Sequence, residues 1–381
     1  MSKTMERLVL KYLVKGVYLF SCIVPVKHRV VFATNRTTVL ADNFKFIDAE
    51  LKHQNLGYEH VYLLKKMGFG LKGRVSYLCH LLKATYYLAT SKFFLIDDFY
   101  FPVYVIKPRK GTEVVQVWHA CGAFKKFGYS ILDKDYGADN DYVKQIPIHC
   151  NYAHVLVSSD EVVPHYAEAF NMDEANIRPL GIPRTDLFFK ESLKQEGMSK
   201  VYQAYPMLKN KKLVLYAPTF RGATQADMHM TIPFDLKQVL SALKEDEILG
   251  LKMHPFVKNL PDLTGYSNVV DLSTYPEVND ILLIADRLIT DYSSLVFEYA
   301  LLERPIIFYA HDRDKYAKER DFYYPYESFI PGPLVETTEG LIDVLKDESF
   351  NTEVVKQFKE KFFDEADGLV SERVVREIFA S

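Results

Sequence analysis

The sequence has little of several features on which common functional classes depend. Its 381 residues include one tryptophan, and the four cysteines are spaced too widely for a zinc site, so they are typical of reduced thiols in a cytosolic protein. Lysine and arginine (47) nearly balance aspartate and glutamate (50), and the net charge of −3 excludes a general nucleic-acid binder. No P-loop, H-E-x-x-H or G-x-S-x-G motif is present.

Long hydrophobic runs are also missing. Residues 16–26 have the length of a signal-peptide core, but Lys11 and Lys15 interrupt the wider apolar segment and no clear cleavage site follows. Because the run is too short to span a bilayer, we expect a basic amphipathic helix on an anionic membrane surface. A first core helix leading into a strand is the alternative. The segment 71–90, which mixes basic residues with tyrosines, also suits a membrane interface.

The remaining composition is ample for a folded core, since 48% of the residues are hydrophobic. Strand-like and helix-like segments alternate in both halves, which predicts an α/β fold with parallel sheets covered by helices. The predicted strands are 30–34, 60–64, 93–96, 114–117, 154–158, 212–217, 249–253, 287–290 and 305–309, with a short one at Val335. We therefore predict two doubly wound, Rossmann-like domains, 1–205 and 206–381, facing a central cleft. In this prediction the last helix can pack back on the first domain.

One glycine-rich segment matches a dinucleotide-binding fingerprint. Gly68, Gly70 and Gly73 follow the G-x-G-x-x-G pattern, and Asp97 and Asp98 end the next strand at about the right distance. However, three residues separate the preceding strand from the first glycine, whereas the tight turn of such a site follows its strand directly. We favour a loop that starts an interfacial helix, with NAD or FAD binding as the alternative.

The strongest local signal is an apolar strand that runs through Thr290 into Asp291-Tyr-Ser-Ser and then opens a helix. Free backbone N–H groups and the helix dipole make such a turn a site for anions. The hydroxyls of Ser293 and Ser294 add further donors. We therefore predict phosphate binding at this turn, and ordinary helix capping by Asp291 or Ser293 is the alternative.

Two histidines follow predicted strands, one in each half of the chain. His119 lies in Gln-Val-Trp-His and His254 in Lys-Met-His-Pro. At the carboxyl edges of two sheets, they are expected to face each other across the cleft, where one base and one charge stabiliser suit attack of a hydroxyl on phosphorus. A capped structural histidine is the alternative for His254. The pair Lys125 and Lys126 either binds phosphate or is a solvated surface pair.

Two arginines lie in similar positions. Arg221 follows the strand 212–217 in Ala-Pro-Thr-Phe-Arg, and its planar guanidinium can hold a phosphate in a fork. Arg184 lies in Gly-Ile-Pro-Arg-Thr-Asp, where a surface salt bridge is the alternative. Three Asp-x-Asp pairs lie in charge-mixed loops and are only weak evidence for a metal, so no metal ligand is assigned.

In this order, the motifs resemble those of the CDP-glycerol glycerophosphotransferases of wall teichoic acid synthesis, which include the TagB/TarB primases and the TagF/TarF-type enzymes. The resemblance extends over residues 30–345 and is carried by QVWHACGAFKKFG, GIPRTDLFF, LYAPTFRG, KMHP, LITDYSSLVFEYALLERPIIFY and FYYPYESFIPGPLVET. Ala-Cys-Gly after the Trp-His pair and a glutamate at Glu298 are variations within the family. A chain of this length resembles the short primases more than the long polymerases.

The resemblance implies a GT-B-like fold and transfer of glycerol phosphate from CDP-glycerol to an undecaprenyl-diphosphate-linked disaccharide or its first extension product, with release of CMP. Transfer of ribitol phosphate from CDP-ribitol is the alternative. It implies a peripheral enzyme on the cytoplasmic face of a Gram-positive cell membrane. The first domain would then bind the acceptor and the anionic membrane surface, and the second the donor. No nucleic acid, cofactor or metal is expected, because fixed cations and dipoles supply the charge.

In this scheme His119 is the general base, and His254 donates to the phosphates or assists the leaving group. Donor and phosphate binding is assigned to Arg221, Thr290, Asp291, Ser293, Ser294 and Glu298, and acceptor binding to Lys125, Lys126 and Arg184. Two other classes stay open. One is an ordinary GT-B glycosyltransferase, which would release a nucleoside diphosphate, and the other is a non-catalytic membrane scaffold.

Overall fold

The computed structural model describes residues 3–68, 70–132, 134, 137, 139–221, 232–253, 262–347 and 349–380. Contacts between residues divide the chain into two compact units. One comprises Met1–Asp186 together with Asp364–Ser381, and the other comprises Leu187–Phe363. The assignment of an acceptor domain to 1–205 and a donor domain to 206–381 stays a prediction.

The first unit is built on a parallel sheet, which has six strands within the described residues. The strands are β1 (Lys27–Thr34), β2 (Glu59–Leu64), β3 (Ser91–Ile96), β4 (Glu113–Gln116), β5 (His154–Leu156) and β6 (Ile177–Arg178). The helices of this part are α1 (Lys3–Ser21), α2 (Asp42–His53), α3 (Gly70–Thr90), α4 (Phe101–Val105), α5 (Asn140–Gln145) and α6 (Val163–Phe170). The strand order is β2-β1-β3-β4-β5-β6.

The second unit has a parallel sheet of the same size among its described residues. Its strands are β7 (Lys212–Tyr216), β8 (Glu247–Leu251), β9 (Val269–Asp271), β10 (Ala285–Thr290), β11 (Ile306–Tyr309) and β12 (Leu334–Val335). Its helices are α7 (Glu191–Ala204), α8 (Leu236–Ala242), α9 (Val278–Ile284), α10 (Leu295–Ala300), α11 (Arg313–Glu319), α12 (Tyr326–Phe329), α13 (Thr338–Lys346) and α14 (Glu353–Phe362). The strand order is β12-β11-β10-β7-β8-β9. The chain then returns to the first unit with α15 (Val370–Val374) and a π-helical turn, Val375–Phe379.

Burial follows from this architecture. All of β8 and nearly all of β3 are buried, because helices cover both faces of a parallel sheet. On α2, the buried Phe44, Ile47 and Leu51 recur at the spacing of one helix face and belong to the core of the first sheet. Amphipathic helices thus cover the faces of the sheets that the strand pattern predicts.

Each sheet has one point where the strand order reverses. In the first sheet the chain leaves β1 for β2 on one side and returns to β3 on the other, and in the second sheet β7 and β10 have the same relation. Open α/β sheets bind ligands beyond the carboxyl ends of the strands at such a point. The segments that follow β1, β3, β7 and β10 are therefore the first places to look for a site.

The predicted strands are confirmed, with shifts of a few residues at their ends. Strands β6 and β9 are not among the predicted strands, because segments of two and three residues carry no alternation. In the glycine-rich segment, a Cβ on Gly73 would lie 2.4 Å from the carbonyl carbon of Gly68. These two glycines therefore allow a close backbone approach where α3 begins.

The N-terminal helix α1 has the buried face of the core helix that was one of its two alternatives, and its binding to a membrane surface stays a prediction. Val14 and Tyr18 are buried, so one face belongs to the core of the first unit. On its other side Tyr12, Leu19 and Phe20 are exposed by 66%, 70% and 77%. Among the helices of the described residues, none combines the length and the apolar character needed to cross a bilayer.

Asp186 holds the C-terminal segment in the first unit. Its buried carboxylate accepts hydrogen bonds from the backbone N–H groups of Val370 (2.9 Å) and Ser371 (3.0 Å), at the start of α15. We expect Asp186→Ala to lower the free energy of unfolding by about 2 kcal/mol, because a buried donor left without its acceptor costs about 1–3 kcal/mol. Urea unfolding followed by the fluorescence of Trp118, the only tryptophan and a residue of this unit, measures the change.

Asp314→Ala is the matched control, since the carboxylate of Asp314 is 91% exposed. It should change the free energy of unfolding by no more than about 0.5 kcal/mol. An Asp186→Ala variant as stable as the parent would show that this carboxylate does not hold α15.

Candidate functional site

His119 lies at the carboxyl edge of the first sheet, just after β4. Gln116, the last residue of β4, fixes the loop: its Oε1 accepts from the N–H of Trp118 (3.0 Å), and its Nε2 donates to the Asp98 carbonyl and the Tyr152 hydroxyl (both 3.2 Å). Trp118 has a φ of 47°, a left-handed conformation that is uncommon for a bulky residue. The buried amide of Gln116 therefore stabilises a strained turn, and His119 follows that turn directly.

A backbone carbonyl orients the ring of His119. Nδ1 lies 3.2 Å from the carbonyl oxygen of Asp97. Since a carbonyl only accepts, Nδ1 carries the hydrogen and Nε2 keeps its lone pair in the neutral ring. Burial lowers the pKa of His119 below its usual value, and the nearby Arg36 guanidinium acts in the same direction. The ring is therefore neutral at pH 7 and can accept a proton at Nε2.

Next to His119 lies a charged cluster that the sequence analysis did not assign. Nitrogen atoms of the Arg36 guanidinium lie 3.6 Å from the Asp42 carboxylate, 3.8 Å from Asp97 and 3.9 Å from Asp98. These separations exceed hydrogen-bond distance, and the side chain of Arg36 is 37% exposed. Position is the signal that could have revealed the cluster, because Arg36 follows β1 and Asp97 follows β3, at the switch point of the sheet.

Asp97 is the buried member of this cluster. Its Oδ2 accepts from the hydroxyl of Thr34 (3.0 Å), whereas its Oδ1 has no hydrogen-bond partner within the described part of the chain. Burial raises the pKa of Asp97 to about 7, although the charge of Arg36 and the Thr34 hydrogen bond oppose this rise. The carboxyl group therefore changes its charge near neutral pH, at the sheet edge that also carries His119.

Arg184 is buried, and the salt bridge considered as its alternative exists as an ion pair with the partly exposed Asp42. The backbone N–H of Arg184 donates to Oδ1 of Asn43 (3.1 Å), and its guanidinium donates to the His119 carbonyl (3.3 Å) and lies 3.2 Å from the Asp42 carboxylate. The amide of Asn43 also donates to the carbonyl of Trp118 (3.1 Å). Arg184 and Asn43 thus position the loop that carries His119, and acceptor binding by Arg184 stays a prediction.

The contacts of three predicted site residues do not establish their roles. Lys125 and Lys126 are half-buried on the segment after His119, and their part in acceptor binding stays a prediction. His254 lies outside the described residues, so its expected place opposite His119 also stays a prediction. The strand end before it is described, and Lys252 Nζ donates there to the carbonyls of Ser273 (3.0 Å) and Tyr275 (2.6 Å).

In the second unit, Asp291 lies at the switch point between β7 and β10. Its buried carboxylate accepts from the backbone N–H groups of Thr219 (2.7 Å) and Tyr292 (2.6 Å) through Oδ1, and from Arg221 (2.9 Å) through Oδ2. Thr290 donates its hydroxyl hydrogen to a backbone carbonyl at the end of β7 (2.8 Å). Both Asp291 and Thr290 therefore shape the predicted phosphate-binding turn from within.

Most N–H groups of Arg221 donate hydrogen bonds within the protein. Four of its five N–H groups donate to the Asp312 carboxylate (2.7 and 3.0 Å), the Asp291 carboxylate (2.9 Å) and the Thr219 carbonyl (2.5 Å). The guanidinium carbon also lies 5.3 Å from the ring centre of Tyr292. One N–H group remains, so Arg221 holds the Asp291 turn and cannot grip a phosphate with a whole fork in this arrangement.

Ser293 and Ser294 precede α10 and keep donors available. The Ser293 hydroxyl accepts from the N–H of Leu295 (3.3 Å), and Ser294 is exposed. Within the described ranges, neither serine N–H donates to a protein acceptor, and the buried hydroxyl of Thr219 has no partner. These are the donors that an anion at this turn would use. Glu298 is buried further along α10, so contact with a ligand stays a prediction for it.

The chain matches known proteins over almost its whole length. Residues 17–380 match the family model of CDP-glycerol:poly(glycerophosphate) glycerophosphotransferase. The chain is 45% identical to a teichoic acid ribitol-phosphate primase of Bacillus spizizenii over 95% of each protein. It is 30% identical to a teichoic acid glycerol-phosphate primase of Bacillus subtilis, over 91% of this chain and 83% of the primase.

A solved structure of the wall teichoic acid polymerase TagF has the same fold. The TM-score is 0.77 at 24% identity, over 97% of this chain and 91% of the polymerase chain. At this level of identity the likeness concerns the fold alone. It confirms the predicted GT-B-like α/β fold.

The buried ion pairs of Arg221 lead to a prediction about stability. Arg221→Met keeps much of the side-chain volume but leaves the carboxylates of Asp291 and Asp312 without their cation. Removing one partner of a buried pair costs about 3–5 kcal/mol, and we expect about 3 kcal/mol because the Arg221 side chain is 15% exposed. Thermal unfolding followed by circular dichroism and calorimetry measures the loss.

Arg313→Met is the matched control, because Arg313 pairs with the exposed Glu327 (2.9 Å) and should cost less than about 1 kcal/mol. Unchanged stability of the Arg221→Met variant, together with weaker donor binding, would contradict the positioning role and restore direct phosphate binding.

Proposed function

Because the chain belongs to the CDP-glycerol:poly(glycerophosphate) glycerophosphotransferase family, we propose that it transfers a polyol phosphate from a CDP-polyol to a hydroxyl group of a lipid-linked acceptor. The observation that carries the proposal is the family match over residues 17–380, which includes both strand-end sites. In the reaction a bond forms between the acceptor oxygen and the phosphorus bearing the polyol. The bond from that phosphorus to the bridging oxygen breaks, and CMP leaves.

The two candidate donors differ in their polyol. The sequence motifs favour CDP-glycerol, with CDP-ribitol as the alternative. The similarity to the ribitol-phosphate primase is considerably greater than the similarity to the glycerol-phosphate primase, over most of each chain. We therefore propose CDP-ribitol as the donor and the addition of one or a few units, as a primase does. CDP-glycerol is the second candidate, supported by the family to which the chain belongs.

His119 is proposed as the general base. Its Nδ1 is occupied by the Asp97 carbonyl, so Nε2 is the atom that would take the proton of the attacking hydroxyl. The lowered pKa keeps this nitrogen unprotonated at neutral pH, which supports the role. His254 is proposed to assist the phosphates or the leaving group.

Fixed dipoles and cations are proposed to bind the phosphates. The N–H groups of Ser293 and Ser294 and the hydroxyl of Thr219 would contact the donor pyrophosphate at the β7–β10 switch point. In the first unit, Arg36 holds carboxylates only at 3.6–3.9 Å and is partly exposed, so it can turn towards an anionic substrate group. We propose that this scheme works without a metal or other cofactor.

We also propose that the enzyme is peripheral, on the cytoplasmic face of the membrane that carries its acceptor. The exposed apolar side of α1 supports this location, with Leu19 and Phe20 at 70% and 77% exposure. Surface-lying amphipathic helices place such side chains in the headgroup region of a bilayer.

The proposal is tested with purified protein, a short-chain lipid-diphosphate disaccharide carrying its first glycerol phosphate, and CDP-ribitol or CDP-glycerol in parallel. Mass spectrometry should detect one or a few added ribitol phosphates and a matching amount of CMP. Faster addition of glycerol phosphate would select the second donor, and a long ladder would indicate a polymerase. Transfer from neither donor, or release of a nucleoside diphosphate from a nucleotide sugar, would overturn the proposal.

His119→Ala tests the base. General acid–base assistance contributes about 10²–10⁴-fold to rate, so turnover should fall by that order while donor binding is retained. In the parent enzyme, kcat/KM should decline as the pH falls through the lowered pKa of His119, because burial keeps the basic form present below the usual range of a histidine. The pH–rate profile of the variant should lack this acid limb.

His53→Ala is the control, since the side chain of His53 is 82% exposed and lies at the end of α2. It should leave both turnover and the pH profile unchanged. A His119→Ala variant that keeps near-normal turnover would exclude His119 as the base.

A further inference from the structure

The first unit contains a cavity that the strand-end sites do not use. It lies between α1 and the end of α4 and has a volume of about 450 Å³. Tyr18 of α1 and Val105 and Ile106 at the end of α4 supply much of its apolar wall. A preformed cavity of this size, lined mainly by apolar groups with a few polar ones, is typical of a site for a small ligand.

The charges at the cavity have one sign. Lys11, Lys15 and Lys107 line it, and in the described part of the chain no aspartate or glutamate does. Lys11 and Lys15 are neighbours on one face of α1, where like charges four residues apart repel each other. Lys11 Nζ donates to the Gln145 carbonyl (2.5 Å), which uses one of its three N–H groups. The cavity therefore combines apolar walls with donors suited to an anion.

The walls are held in place without a ligand. Arg109 donates to the carbonyls of Cys22 (2.9 Å) and Val24 (2.7 Å), and its backbone N–H donates to the hydroxyl of Tyr18 (2.9 Å). These bonds fix the C-terminal end of α1. On the other wall, the hydroxyl of Tyr104 is hydrogen-bonded to that of another buried tyrosine (2.5 Å). The site is built by the fold and does not need to form on binding.

The surroundings of the cavity decide the class of ligand. Leu19 lies at its rim with 70% exposure, and Phe20 and Ile23, which follow Leu19 in the chain, are each exposed by 77%. A free phosphate or a nucleotide would leave these side chains in water. A phospholipid would satisfy both parts, because its phosphate meets the lysines while its acyl chains cover the apolar residues.

We propose that this cavity binds the headgroup of an anionic membrane phospholipid, with the phosphate between Lys11, Lys15 and Lys107. The site does not depend on transferase activity. It gives the first unit a defined lipid contact in addition to the general attraction of a basic helix to a membrane.

The test uses dihexanoyl phosphatidylglycerol below its micelle concentration, with dihexanoyl phosphatidylcholine and inorganic phosphate as comparison ligands. Isothermal titration calorimetry should show one saturable site for the anionic lipid and much weaker binding of the other two. The triple variant Lys11→Gln, Lys15→Gln, Lys107→Gln should bind the anionic lipid on the order of a hundredfold more weakly. Each lysine near an anionic lipid contributes a similar favourable amount to the binding free energy. Replacing the same three lysines by arginine should retain binding.

The matched control replaces three exposed lysines of the second unit, Lys237, Lys346 and Lys356, by glutamine and should bind like the parent. Three outcomes would overturn the proposal: no saturable site, equal binding of inorganic phosphate, or equal loss in the control variant. Transfer to a water-soluble acceptor without lipid is measured in parallel. It should be the same in the parent and the glutamine variant, so a failure of lipid binding is distinguished from a failure of the proposed function.

Discussion

The rest of the structure depends on how the backbone N–H and C=O groups are hydrogen-bonded where the parallel strands end. Beyond its last ladder bond, a buried strand leaves N–H and C=O groups that are costly unless another group pairs with them. One buried side chain does much of this in each unit. Asn43 joins the β4 loop to the N–H of Arg184, and Asp291 joins the ends of β7 and β10. The residues after these strands are therefore held by the bonds that complete the fold.

The chemistry of the two joining groups explains the difference between the arginines nearby. Asn43 is neutral and both donates and accepts, so it needs no counter-charge. Asp291 only accepts and is buried, so it requires a cation, which Arg221 supplies at 2.9 Å. Most N–H groups of Arg221 are therefore used within the protein, whereas the guanidinium of Arg36 lies beyond hydrogen-bond distance of the nearby carboxylates. An arginine after a strand is thus available to a substrate only if no buried carboxylate already holds it.

Secondary-structure elements with a long enough apolar pattern were predictable from the sequence. The parallel sheets, the strand-end positions of His119 and Asp291, and the resemblance to the glycerophosphotransferase family are confirmed. The sequence could not show that Arg184 and Arg221 are turned inward, because burial of a charge depends on partners such as Asp42 and Asp312 that are distant in sequence. Arg36 was not considered, and Asp97 was considered only as part of a dinucleotide-binding fingerprint. Their meaning comes from the order of the strands, which the sequence does not display.

The helix α1 shows why a pattern can support two interpretations at once. Its buried side, with Val14 and Tyr18, obeys the requirements of a core helix, and Arg109 fixes its end. Its outer side carries large exposed apolar groups, which the proposed membrane position would place against lipid. A helix that meets the protein on one side and lipid on the other needs apolar residues on both, with lysines at the boundary. The mixture of Lys11 and Lys15 with apolar neighbours, which interrupts a signal-peptide pattern, is consistent with the proposed position of α1 at a membrane surface.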